Sequence, residues 1–72
     1  MNTQELTILE KAQREVSLLE HAMTFVSIAG QASQRMYHLK HVPENYRDAL
    51  SSLDIQLTGA RALLKRIETL GR

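Results

Sequence analysis

Cysteine and tryptophan are absent from this 72-residue sequence, proline occurs once and glycine three times. Without cysteine, neither a disulfide nor a thiolate-held metal can staple the chain, and a reducing compartment such as the cytoplasm suits it. At this length one core barely offsets the conformational entropy of folding, so association with a second chain is the remaining source of stability. No excess of either charge is present: nine Lys and Arg stand against eight Asp and Glu. The signs are interspersed, which argues against a field able to hold nucleic acid or an anionic membrane. No apolar run approaches the roughly 18 to 20 residues that span a bilayer. The opening residues Met1-Asn2-Thr3-Gln4-Glu5 lack the basic stretch and apolar block of an export signal, so the expectation is one untargeted domain over residues 1–72 with no membrane span.

With so few breakers, two long helices are the natural parse. Asn2 or Thr3 can cap the first, with Glu5 at the spacing that reaches back to Asn2. The helix then meets no strong breaker until Val42, which Pro43 pushes out of α conformation. Pro43 suits the first turn of a second helix, Glu44 and Asp48 favour its positive end, and Gly71 is placed to terminate it. The basic residues Arg61, Lys65, Arg66 and Arg72 complement its other end. The expected fold is all-α: an antiparallel two-helix hairpin with a helix over about residues 3–40, a turn at 41–43 and a helix over about 43–70.

Hydrophobic spacing supports both helices. In the first, Leu9, Ala12, Val16, Leu19, Met23 and Val26 recur at steps of three and four, continuing through Gly30 and Ser33 to Tyr37. A second seam, Leu18, Ala22, Phe25, Ala29, Ala32, Met36 and Leu39, runs beside it. Ile28 alone interrupts the polar remainder. The second helix carries Tyr46, Leu50, Leu53, Leu57, Ala60, Leu64 and Ile67, flanked by Ala49, Leu63 and Leu70 on one side and by Arg47, Asp54, Arg61 and Glu68 on the other. Such flanking charges sit at the edge of coiled-coil-like contacts.

A hairpin closed at 41–43 pairs a helix of roughly 57 Å with one of roughly 40 Å, leaving Leu6, Ile8 and Leu9 uncovered. It also buries one stripe of each helix, whereas the first helix has two. A partner chain is therefore expected to complete the fold. Leu19, Met23, Val26, Tyr46, Leu50, Leu53 and Leu57 are the candidate binding residues, shared between internal pairing and that partner. The small-residue stretch Ala29-Gly30-Gln31-Ala32-Ser33 is expected to accommodate Leu50, Leu53 or Leu57, and Tyr37 to pack on Tyr46 beside the turn.

Nothing in the pattern points to catalysis. No nucleophile stands with a base, no carboxylate pair has a pocket, and no glycine-rich phosphate loop occurs. His38, His41 and Glu44 lie close in sequence, but imidazoles near a helix C-terminus are accounted for by the dipole there, and His21 has no second ligand nearby. The expectation is a protein that is not an enzyme and holds no cofactor or metal.

The turn Pro43, Glu44 and Tyr46, and the apolar run Leu53, Leu57, Ala60, Leu64 and Ile67 after it, resemble the small E-component co-chaperones of type III secretion needle subunits. Those proteins are short, cysteine-free helical hairpins. The resemblance implies a partnership with a tetratricopeptide-like chaperone in the bacterial cytoplasm, keeping a needle subunit soluble and unpolymerised before export, a role in virulence. The competing expectation is self-association into a homodimeric four-helix bundle, as in small regulators or adaptors. Arg14, His21 and Arg35 share one side of the first helix, but Glu10 and Glu20 lie near, which speaks against nucleic acid.

Overall fold

The computed structural model describes residues 3–70, with side chains from Thr7 onward. Asn2, Gly71 and Arg72, and the side chains of Glu5 and Leu6, lie outside the described residues. Two helices, α1 (Thr3–Met36) and α2 (Glu44–Leu70), pack against each other as an antiparallel hairpin, with no strand among the described residues.

The first helix ends about a turn earlier than its spacing suggests, at Met36 and not near residue 40. The cause is local. His38 adopts the left-handed conformation, φ 53°, and the backbone closes around it: the Leu39 amide donates to the Gln34 carbonyl at 2.9 Å and the His38 amide to the Arg35 carbonyl at 3.3 Å. This pair of bonds is the Schellman arrangement, in which a left-handed residue satisfies the last carbonyls of a helix. Glycine usually takes that place, and histidine is among the few other residues that tolerate it. The Gln34 side-chain amide then donates to the Lys40 carbonyl at 3.1 Å, tying the returning chain to the helix end. The turn thus covers residues 37–43, wider than 41–43. Pro43 stands just ahead of α2, not within its first turn, and its carbonyl accepts the amides of Tyr46 at 3.1 Å and Arg47 at 3.3 Å.

Ending α1 early shifts the pairing. Helices of 34 and 27 residues differ by about 10 Å at 1.5 Å per residue, not by the larger gap expected. Consequently α2 reaches further along α1: Ala12 and Val16 are buried and Leu9 is half-buried, so Leu9 is covered after all, while Ile8 remains exposed.

The seam between the helices follows the hydrophobic spacing. From α1 it takes Leu9, Ala12, Val16, Leu19, Met23, Val26, Gly30 and Ser33; from α2 it takes Tyr46, Leu50, Leu53, Leu57, Ala60, Leu64 and Ile67, all buried or half-buried. Tyr37, expected to extend the first seam, lies beyond the end of α1 and is exposed. Leu57 is the most enclosed of the apolar side chains, at 4% exposure. Gly30 is buried where the chain returns, and a Cβ there would meet Val42 Cγ1 at 2.9 Å and Tyr46 Cβ at 3.2 Å. The missing side chain at Gly30 therefore admits Val42 and Tyr46, because the wider turn brings the start of α2 to this level. Tyr46 is half-buried there while Tyr37 is exposed, so the two tyrosines have different surroundings.

Two helices make a rod and not a globule. The chain measures 55 × 16 × 13 Å with a radius of gyration of 16.4 Å, against about 11 Å for a compact domain of this length. Its accessible surface is 5981 Å², where a compact monomer of this mass exposes about 4,500 Å². Only Ala12, Val16 and Leu57 form a buried apolar core among the described residues.

Candidate functional site

The second stripe of α1 is the feature that the hairpin leaves unused. Leu18, Phe25 and Met36 are 61%, 77% and 69% exposed, and Ile28 beside them is 60% exposed. Ala22 and Ala29 are half-buried between that stripe and the seam, and Ala32 is exposed. On a helix, positions three and four apart share a face, so these residues form one continuous ridge along the C-terminal half of α1. The ridge fades toward the N-terminus, where Lys11 and Glu15 replace apolar residues on the same face.

The relative orientation of the helices extends this surface onto α2. Arg61 and Glu20 approach at 3.8 Å on one side of the hairpin. Leu63 lies on the opposite flank of the α2 seam from Arg61, as Leu18 lies on the opposite flank of the α1 seam from Glu20. Because Arg61 stands across from Glu20 and Tyr46 across from Gly30, the antiparallel register brings Leu63 level with Leu18. Leu63 is half-exposed at 50%. One side of the rod is thus apolar across both helices, and the other carries the ion pair. That pair is solvent-exposed and contributes little to stability, on the order of 0.5 kcal/mol or less.

All seven residues singled out from the sequence, Leu19, Met23, Val26, Tyr46, Leu50, Leu53 and Leu57, lie in the seam between the helices. They hold the hairpin together. Leu18, Phe25, Ile28 and Met36 are more open to a second molecule than these seven, and Ile55, Leu63 and Leu70 of α2 are exposed as well. Spacing alone identifies both stripes of α1, but it carries no signal for which one faces α2.

No family model, curated protein or solved structure matches the chain.

Other chemistry finds little footing in this geometry. No three His, Asp or Glu side chains converge to hold a metal ion among the described residues. His38 and His41 are exposed on the turn, and His21 is exposed on α1. A shallow depression near the end of α2, lined by Ala62, Lys65, Arg66, Thr69 and Leu70, comes from a single helix and presents no nucleophile paired with a base. The hydroxyls of Thr24, Thr58 and Thr69 donate to carbonyls four residues earlier in their own helices, at 2.8 to 3.1 Å. No described helix is long and apolar enough to cross a membrane.

Proposed function

We propose that this hairpin is a protein-binding co-chaperone: with a tetratricopeptide-like partner it keeps a type III secretion needle subunit soluble and unpolymerised before export. The observation that supports this reading is the exposed ridge Leu18, Phe25, Ile28 and Met36, a large apolar face on a molecule too thin to bury it. At about 25 cal/mol per Å² such a surface is costly to keep wet, and a second chain relieves that cost. The surplus of about 1,500 Å² over a compact monomer is ample for a standard protein interface, which takes about 800 Å² from each partner. The choice of partners rests on the resemblance of the turn and second-helix residues to the needle co-chaperones. A needle subunit assembles through amphipathic helices, and a chaperone complex occupying that apolar face blocks assembly by competition.

Co-expression with a needle subunit and its tetratricopeptide-like chaperone tests the reading. The expected result is a stable complex, a sharper melting transition than the hairpin has alone, and loss of capture in Phe25→Asp with helicity unchanged. A hairpin that is a rigid, fully protected monomer at micromolar concentration and captures neither partner overturns it. Loss of helicity on dilution of the hairpin alone, with no gain on co-expression, points to the homodimeric bundle instead.

A further inference from the structure

Leu18, Ala22, Phe25, Ala29, Ala32 and Met36 alternate steps of four and three without a break, the heptad spacing of a coiled-coil seam. Small residues interleave with large ones: Phe25 stands between Ala22 and Ala29, so a partner's side chains find holes beside a knob. The position bordering this seam on the side away from α2 recurs every seven residues as Arg14, His21, Ile28 and Arg35. Two of the four are arginines and a third is a histidine. Arg14, His21 and Arg35 are exposed, and no carboxylate among the described residues forms an ion pair with either arginine. Glu20 is directed to Arg61 on the far side of the hairpin, and Glu10, one turn before Arg14, is the one carboxylate on this edge, at its N-terminal end.

We propose that this seam receives an amphipathic helix from a different chain, one that carries carboxylates along the edge facing Arg14, His21 and Arg35. Charge decides against a second copy. In an antiparallel pairing of two α1 seams, each basic edge meets the basic edge of its partner, and like charges in apposition are unfavourable. In a parallel pairing, the basic edge of one copy meets the edge of the other that carries Leu19 and Val26, already covered by its own α2. An acidic-edged helix meets neither obstacle. It fills the seam with apolar residues at matching spacing, and its carboxylates find guanidinium groups that form no ion pair among the described residues.

This inference rests on the reading of the ridge as a binding face, and its test separates the two. Two labelled synthetic helices of about three heptads share one leucine and alanine seam and differ only in glutamate or lysine at the edge positions. Fluorescence anisotropy follows their binding to the full chain. The glutamate peptide is expected to bind roughly tenfold tighter at about 0.05 M salt, with the preference shrinking at about 0.5 M as screening shortens the reach of the charges. The double variant Arg14→Glu, Arg35→Glu reverses the preference, and Phe25→Asp weakens both peptides, while circular dichroism shows both variants still helical. Equal binding, a preference for lysine, binding of neither peptide, or a stable homodimer that Phe25→Asp dissociates each overturns the proposal. Capture of co-expressed secretion partners without any charge preference removes this inference and leaves the proposed function standing. A glutamate preference without such capture does the reverse.

Discussion

Replacing Gly30 by alanine sets two effects of similar size against each other. Alanine is favoured over glycine inside a helix by about 1 kcal/mol. Against this, the new methyl would lie 2.9 Å from Val42 Cγ1, 3.2 Å from Tyr46 Cβ and 3.4 Å from Tyr46 Cγ. The Val42 methyl ends a short side chain on the turn and can rotate. The Tyr46 Cβ is bonded directly to the α2 backbone, so it yields only if the first turn of α2 retreats from α1. Overpacking of this kind costs about 1 to 3 kcal/mol. The expected balance for Gly30→Ala is a net loss of about 1 kcal/mol, a fall in Tm of about 4 to 8 °C for a domain this small. Gly59→Ala is the control. That glycine is exposed within α2, and a Cβ there meets nothing within 4 Å. It should show the helix-propensity gain alone, about 1 kcal/mol of added stability. Thermal and urea melts of the two variants, followed by circular dichroism at one protein concentration, therefore move in opposite directions. If Gly30→Ala rises together with Gly59→Ala, the close approach of Val42 and Tyr46 does not constrain the fold, and the account of the turn given above is wrong.

Three further outcomes are expected. Leu57→Ala, at the most enclosed apolar side chain, 4% exposed, should cost about 2 to 3 kcal/mol and lower the urea midpoint more than truncation at any exposed leucine. His38→Gly should raise stability by about 1 kcal/mol, since glycine holds φ 53° without the penalty that a Cβ brings there; an unchanged or lower Tm would show the turn to be unstrained. Arg61→Ala should shift stability by less than about 0.5 kcal/mol, because its pairing with Glu20 at 3.8 Å is solvent-exposed, and a larger loss would mean that the pair sets the register of the helices.

Spacing at three and four residues by itself determined that the chain makes two amphipathic helices, which residues of α2 form its inward face, and that α1 carries one apolar stripe more than a hairpin can bury. These properties belong to single helices, where residues in step with the 3.6-residue turn share a face whatever lies opposite. The end of α1 was not legible in this way. Leu39 keeps the apolar spacing, and the residue that breaks the helix is a histidine in a left-handed conformation that glycine more often adopts. Because the turn sets the register, its true position also decided that Gly30 receives Val42 and Tyr46 and that α2 reaches back as far as Leu9. Only the packed pair could show which stripe of α1 turns inward. Both have the same spacing, and it is the packed pair that puts Val16 and Gly30 inside, with Gly30 against Val42 and Tyr46, and leaves Phe25 and Met36 facing water.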